Sequence, residues 1–221
     1  GVFAGGFDLA AAEAVCGAEP LDALDVLDLV GSLVEKSLLM ADTGGDDTRY
    51  RMLETLREYA HEKLVLAGDA AATARRHAGH FWGVARQVRD GLRGAEQARW
   101  VRRAEADLDN LRAAAACARA EGADPLLAAT LPVALQGFWV MRGRLGEGRE
   151  LLRAALALPA VQASDMARAH TLYAAAVLAD AQGDPVEAQR LLEIGLALRR
   201  GLQDTEGVAM TLSTLSISWL A

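Results

Sequence analysis

Residues 151–158 read LLRAALAL and residues 191–198 read LLEIGLAL, so the same apolar pattern recurs after 40 residues. Gly143 and Gly183 precede the two copies at the same interval, and a third copy begins near Val208. A fixed period of this size is typical of stacked helical hairpins, because a single hairpin cannot bury its apolar face alone. The repeat therefore predicts a scaffold that binds something, and not a fold built around a reaction.

The composition favours a folded chain made of helices. Of the 221 residues, 52% are apolar and only 5% are aromatic, as in domains packed mainly through alanine and leucine. Cys16 and Cys117 are too few for a disulfide framework, so we expect both to be buried, reduced thiols of a cytoplasmic protein. No signal peptide is visible, and the longest uncharged stretch, residues 125–141, is too short to span a membrane.

The formal net charge of −7 is distributed unevenly along the chain. Residues 1–68 contain 5 basic and 13 acidic residues, a net charge of −8. Residues 69–122 contain 10 basic and 7 acidic residues, a net charge of +3. Residues 123–221 contain 8 basic and 10 acidic residues, a net charge of −2. Affinity for nucleic acid comes largely from lysine and arginine side chains that neutralise phosphates. The acidic first segment therefore argues against direct contact with nucleic acid there.

Residues 1–68 have the element order of a winged helix that lacks its first helix, which would lie before Gly1. Asp8 is expected to cap a short helix that stops at Gly17. The turn-rich stretch 42–48 separates two short runs typical of a β-hairpin. The expected helices cover residues 9–16, 22–36 and 53–66, and the hairpin strands fall within residues 37–41 and 49–53.

The rest of the chain predicts helices alone. We interpret residues 69–122 as a helical linker, or the start of a solenoid, and residues 123–221 as helical hairpins whose last helix pairs with chain beyond residue 221. The predicted fold class is thus mainly α, a partial winged helix with a small β-hairpin followed by an α-solenoid. The expected helices cover residues 73–92, 95–120, 125–142, 146–158, 166–182 and 185–200, and another starts near Glu206.

The sequence contains no motif of an enzyme active site. It has no Gly-x-x-x-x-Gly-Lys-[Ser/Thr] loop for nucleotide phosphates and no Gly-x-Ser-x-Gly. His77 and His80 lie one helical turn apart, but no third ligand stands at a matching position, so we expect two partly exposed histidines and no metal. We therefore predict no catalytic, cofactor-binding or metal-binding residue in this chain, and the residues that bind a ligand stay unknown.

Two groups of acidic residues have a superficial likeness to functional sites. Glu54, Glu58 and Glu62 form a row on one helix, interleaved with basic residues, which favours a solvated helix face. The three aspartates within residues 42–47 lack the spacing and the closing glutamate of a calcium loop. Neither group predicts a site.

The helix over residues 22–36 would occupy the position of a recognition helix, the element with which a winged helix reads DNA. Its side chains include four carboxylates against a single basic residue, Lys36, so phosphates would repel it. The wing carries Arg49 and Arg51 together with three aspartates. We therefore expect this module to pack against a neighbouring domain, and DNA binding is the less favoured alternative. The four carboxylates belong to Asp22, Asp25, Asp28 and Glu35.

Four stretches, at residues 2–16, 33–39, 49–60 and 105–113, resemble the bacterial STAND-class regulatory ATPases, which are often described as LuxR-type or AfsR/SARP-like transcriptional regulators. In that resemblance the stretch EADLDNLRA at residues 105–113 follows the winged helix. The later hairpins resemble tetratricopeptide repeats. The winged-helix stretches are residues 2–16, 33–39 and 49–60, and the repeat positions are Ala176, Gln182–Asp184, Ala188 and Leu196.

The resemblance implies a multi-domain switch. In such a switch an upstream module binds ATP or ADP, the winged helix packs on that module, and the repeats sense a protein or small-molecule effector. The motifs that contact nucleotide are not in this chain, so no nucleotide-binding residue is carried over. This interpretation makes the chain a regulatory and protein-interaction segment with no chemistry of its own and no membrane contact. A stand-alone repeat scaffold that assembles other proteins is an alternative.

Overall fold

The computed structural model describes residues 1–19, 21–45, 47–117 and 125–218. The chain forms two compact units: unit 1 is Gly1–Val84 with Arg99–Ala123, and unit 2 is Ala85–Ala98 with Asp124–Ala221. The described residues are mainly helical and contain a small antiparallel hairpin, which confirms the predicted fold class. The domain boundaries expected after residues 68 and 122 stay predictions.

Unit 1 begins with two helices, a hairpin and a third helix. These elements are α1 (Leu9–Cys16), α2 (Ala23–Glu35), β1 (Met40–Asp42), β2 (Arg49–Arg51) and α3 (Glu54–Leu66). The Asp8 side chain accepts a hydrogen bond from the Ala11 N–H and so caps α1, which ends at Gly17 as predicted. A reciprocal pair of hydrogen bonds between Asp22 and Asp25 fixes the start of α2.

The hairpin is shorter than predicted, and a segment at Phe7 pairs with the free edge of β2. β1 and β2 pair with Ala41 opposite Tyr50. On the other side of β2, the Phe7 N–H donates to the Tyr50 carbonyl at 2.9 Å, and the Tyr50 N–H donates to the Phe7 carbonyl at 2.7 Å. The sequence did not predict this segment, because residues 1–8 are rich in glycine and lack the alternation of a strand.

Three further helices follow: α4 (Ala70–Gly91), α5 (Gln97–Ala106) and α6 (Leu108–Cys117). The prediction of one continuous helix over residues 95–120 is wrong, because the helix is interrupted at Asp107, whose carboxylate is buried among polar partners. Residues 118–120 lie outside the described residues. One face of α5 and α6 is apolar and buried, and it includes Ala104, Leu108 and Leu111.

Aromatic rings form much of the core of unit 1. Phe3, Phe7 and Phe81 are all buried. The rings of Phe3 and Phe7 stack with their centroids 4.1 Å apart, and Phe81 meets Phe3 edge-on at 6.4 Å. Ring packing thereby fixes the glycine-rich first residues of the chain to α4, and the bridge at Phe7 fixes them to β2.

Unit 2 consists of antiparallel helical hairpins. Its elements are α7 (Pro125–Ala134), α8 (Gln136–Met141), α9 (Leu145–Leu156), α10 (Pro159–Gln162), α11 (Asp165–Ala181), α12 (Pro185–Gly201) and α13 (Thr205–Ser218). α11 packs against α12 and α9, and α12 packs against α13. The helix predicted over residues 125–142 is divided at Leu135, shortly after Pro132, which has no backbone N–H to donate. The short helix α10 was not predicted.

The 40-residue period of the sequence is also a repeat of conformation. Gly143 and Gly183 both have positive φ angles, +66° and +83°, in the turns after α8 and α11. Thr171 and Thr211 are both buried, and each hydroxyl donates to the carbonyl four residues earlier, at 2.8 Å and 2.7 Å. None of the described helices combines the length and the apolar character that a membrane crossing needs.

Candidate functional site

A buried ion network joins α1, β2 and α5 in unit 1. The Asp107 side chain is 1% exposed, and its two oxygens accept hydrogen bonds from Arg49 Nη2 at 2.6 Å and Arg103 Nε at 2.5 Å. Arg103 Nη1 also lies 2.7 Å from Asp8 Oδ2. Burial alone would raise the pKa of Asp8, but the Ala11 N–H and the Arg103 charge outweigh it and lower that pKa. Positive and negative side chains therefore alternate at the junction, the place where the start of α1, β2 and the end of α5 meet.

Asn110 ties the start of the chain to α6. Its Oδ1 accepts a hydrogen bond from the Ala4 N–H at 2.9 Å, and its Nδ2 donates to the Gly6 carbonyl at 2.8 Å. The same Oδ1 lies 3.1 Å from His77 Nε2. Burial lowers the pKa of His77 more than this hydrogen bond raises it, so the ring is neutral at pH 7 and donates from Nε2. These contacts are structural, since each polar atom is already bound to protein.

One of the two histidines differs from the expectation of partly exposed rings, and the other, His80, agrees with it. His77 is only 2% exposed, between Asn110 and the ring of Phe81. His80 is half-buried, and burial lowers its pKa. Within the described ranges, no group of three or more histidine, cysteine, aspartate or glutamate side chains could hold a metal ion.

The two wing arginines, Arg49 and Arg51, have different roles in the structure. Arg49 Nη2 donates to the carbonyls of Gly6 at 2.7 Å and Ala106 at 2.9 Å in addition to Asp107. Arg49 therefore builds the fold, whereas the Arg51 side chain is exposed. Of the three wing aspartates, Asp42 and Asp47 are exposed and Asp46 lies outside the described residues.

The predicted acidic face of α2 is exposed and also carries leucines. Asp22, Asp25, Asp28 and Glu35 are all exposed. Leu24 is 71% exposed, and Leu27 and Leu29 are exposed as well. Beside α2, an apolar groove of about 340 Å³ is lined by residues that include Phe3, Leu29 and Leu33. Carboxylates beside exposed leucines are unfavourable next to DNA phosphates and typical of a surface that another protein covers.

Two smaller predictions have different outcomes. The solvated row of Glu54, Glu58 and Glu62 is exposed, as expected, and Glu54 pairs with Arg57. The cysteines were expected to be buried, but Cys16 and Cys117 are free thiols of intermediate exposure. Burial raises the pKa of the Cys16 thiol, so it is protonated at neutral pH.

Unit 2 contains a second candidate site that the sequence analysis did not identify. A groove of about 560 Å³ is lined by residues that include Tyr173, His170 and Arg199. Arg199 is 1% exposed although it carries a charge. The sequence does contain a signal for it, since Arg199 follows Leu192 and Leu196 at helical spacing and so falls on the buried face of α12.

Comparison with known proteins agrees with the architecture of unit 1. Residues 1–65 match the family model described as a winged helix-turn-helix domain. Over 146 residues, 66% of this chain, the sequence is 44% identical to proteins named "Putative HTH-type transcriptional regulator" in Mycobacterium tuberculosis and Mycobacterium bovis. The matched stretch spans only 16% of the length of those regulators.

A further relative is an uncharacterized protein of Mycobacterium tuberculosis, 36% identical over 94 residues, which are 42% of this chain and 24% of that protein. No solved structure matches the chain. The chain is thus similar to HTH-type transcriptional regulators, and its first 65 residues match a winged helix-turn-helix domain in sequence as well as in element order.

Proposed function

We propose that the chain is a regulatory and protein-interaction segment of a multi-domain transcriptional regulator of the STAND type, with no chemistry of its own. In this proposal unit 1 packs against an ATP-binding module of the longer protein. The hairpins of unit 2, which we interpret as tetratricopeptide-like repeats, receive a protein or small-molecule effector. The observation that carries the proposal is the exposed face of α2, where acidic side chains stand beside leucines.

The charge of this face favours a protein partner over DNA. A recognition helix lies in the major groove, where its side chains come close to phosphates as well as to base edges. Carboxylates at these positions would repel the phosphates, and only Lys36 at the end of α2 would attract them. The exposed leucines gain stability only when an apolar surface covers them. Both features fit a protein interface.

Three of the polar groups inside unit 1 support the absence of catalysis in this proposal. Catalytic residues with shifted pKa values usually present a reactive atom to a cleft. Here the carboxylate of Asp8, the guanidinium of Arg103 and the ring of His77 bind other protein groups. A cytoplasmic location is part of the proposal, because two unpaired thiols stay reduced in that compartment.

The proposal is tested in the longer regulator by the variant Leu24→Glu, followed through the release rate of ATP from the nucleotide-binding module. We expect the rate to change at least fivefold, because a charge among the exposed leucines of α2 weakens the packing of unit 1 on that module. Val186→Glu is the matched control, since Val186 is 79% exposed at the start of α12. An unchanged release rate in Leu24→Glu, with unit 1 still folded, would refute the proposed contact.

DNA binding is a second candidate, which the match to a winged helix-turn-helix model favours. Its test is the fluorescence anisotropy of a labelled 30-base-pair duplex titrated with the chain at 50 mM and 200 mM salt. We expect no saturation below about 100 µM at the higher salt concentration. Micromolar binding that Arg51→Ala weakens would favour DNA reading instead. Arg49→Ala is unsuitable for this test, since Arg49 binds Asp107 inside the fold.

A further inference from the structure

The groove of unit 2 combines apolar walls with a few polar groups. Its volume is about 560 Å³, and Leu92, Val133, Val177 and Met210 are among the apolar residues on its walls. Sites for small ligands are concave and largely apolar, lie in this range of volume, and carry a few polar groups that fix the orientation of the ligand. Arg199 is the buried polar group of this groove, and Arg89 and Arg93 line it at exposed positions.

The guanidinium of Arg199 lacks a partner for two of its nitrogens. It is 1% exposed, yet Nε and Nη2 have no hydrogen-bond partner in the part of the chain that the structure describes. Nη1 lies 3.9 Å from Asp204 Oδ2, which is too far for a hydrogen bond. Asp204 also caps α13, because its Oδ1 accepts from the Gly207 N–H at 2.9 Å. Buried polar groups nearly always have partners, so these open donors call for an acceptor.

The surroundings hold this guanidinium in place. Its central carbon lies 5.4 Å from the centroid of the Tyr173 ring. The Tyr173 hydroxyl lies 3.1 Å from Thr214 Oγ1, so the ring is fixed as well. A side chain at Gly207 would collide with both Arg199 and Asp204, and the glycine therefore leaves room for them. The site is thus built around Arg199 before any ligand arrives.

The two open nitrogens define the shape of the acceptor. Nε and Nη2 form one edge of the planar guanidinium and donate in parallel, which matches the two oxygens of a carboxylate. Arg199 is the buried cation of the groove, whereas Arg89 and Arg93 line it at exposed positions where water screens their charge. Beside Arg199, Asp204 would oppose a doubly charged phosphate more than a carboxylate. Loss of hydration in the groove, and then the Arg199 charge, lower the pKa of His170, so the imidazole adds no positive charge at pH 7.

We propose that this groove binds a small monocarboxylate with an apolar body. The carboxylate accepts two hydrogen bonds from Arg199, and the hydrocarbon part lies against walls that include Val133 and Val177. This inference rests on the proposed effector role of unit 2 for its biological meaning and names the chemical class of that effector. The binding itself is measurable on the 221-residue chain.

The first experiment is calorimetric titration of the chain with octanoate, and with 1-octanol and octylamine as ligands of equal chain length. We expect octanoate to bind one site with a Kd on the order of 10–100 µM. Octanol and octylamine should bind at least tenfold more weakly, because neither has two acceptor oxygens for Nε and Nη2. Equal affinity of octanoate and octanol, or no binding of octanoate, would overturn the proposal.

Two variants assign the binding to the groove. Arg199→Met keeps most of the side-chain volume and removes the charge, so it should weaken octanoate at least tenfold and leave octanol unchanged. It should change the thermal unfolding midpoint little, because the loss of its contacts with Tyr173 and Asp204 is offset by removal of a buried charge with two unpaired nitrogens. Arg200→Met is the control, since Arg200 is the exposed neighbour on α12. Unchanged octanoate affinity in Arg199→Met would overturn the proposal.

Val133→Phe tests the groove without altering Arg199, because a larger side chain on the wall should weaken octanoate and octanol alike. If Arg199→Met does not fold, Val133→Phe tests whether octanoate binds in the groove. The comparison of octanoate with octanol on the unaltered chain then tests whether the carboxylate is recognised. The release of ATP in Leu24→Glu does not involve the groove. If the chain does not bind octanoate but Leu24→Glu changes the release rate of ATP, the proposed ligand class is refuted and the proposed function is not.

Discussion

Asp107→Asn should destabilise unit 1 strongly, although the asparagine side chain has almost the same volume as the aspartate. The carboxylate of Asp107 is buried and accepts from both Arg49 and Arg103 at 2.6 Å and 2.5 Å. Breaking a buried ion pair by removing one partner costs about 3–5 kcal/mol. The lower end applies here, because Arg103 keeps Asp8 and Arg49 keeps two carbonyl partners. We therefore expect a loss of about 3 kcal/mol in the free energy of unfolding of unit 1.

Hydrogen exchange followed by mass spectrometry measures this loss in each unit separately. A loss of about 3 kcal/mol corresponds to about 160-fold faster exchange of the protected amides, such as those of Phe7 and Tyr50. Asp109→Asn is the control, since the pair of Asp109 with Arg112 is exposed and worth less than about 1 kcal/mol. If Asp107→Asn exchanged no faster than Asp109→Asn, the ion network would not be what stabilises this junction.

Two further predictions concern packing and pH. Gly148→Ala places a methyl group 2.6 Å from Leu178 Cδ1 and 2.7 Å from a ring carbon of the buried Trp139, so it should destabilise unit 2 by about 1 kcal/mol despite its better helix propensity. Gly146→Ala meets nothing within 4 Å and should raise the thermal unfolding midpoint slightly; a rise for Gly148→Ala would contradict the packing argument. His77 has a lowered folded-state pKa, so the unfolded chain binds more protons below about pH 6.5 and unit 1 loses stability as the pH falls through that window. An NMR titration in which His77 titrates at or above its ordinary value would contradict this sign.

Local patterns in the sequence predicted most helices. The cap at Asp8 and the stop at Gly17 each depend on residues within a few positions of one another, so local propensity suffices to find them. The glycines that end α8 and α11 were found in the same way, from one turn residue and a repeated interval.

The contacts that hold unit 1 together join residues far apart in the sequence, and the sequence did not predict them. Arg49 and Asp107 are 58 residues apart, and Asn110 reaches Ala4 across 106 residues. No periodic pattern within one helix indicates which distant backbone a buried aspartate will bind. Arg199 was overlooked for a different reason, because hairpin patterns are read from apolar residues and a single charge on the buried face of α12 does not disturb them.

The stretch at residues 105–113 has polar side chains of two kinds, since Asp107 and Asn110 face inward whereas Asp109 and Arg112 are exposed. Asp107 and Asn110 are buried, and both bind the backbone or side chains of the winged helix. Buried positions such as these, with Phe3 and Phe7, determine how the segment folds. Reading DNA depends instead on exposed basic side chains, and the exposed face of α2 is acidic. The match to a winged helix-turn-helix model therefore describes the architecture of residues 1–65, and we expect partners to bind at the surface of α2 and in the groove around Arg199.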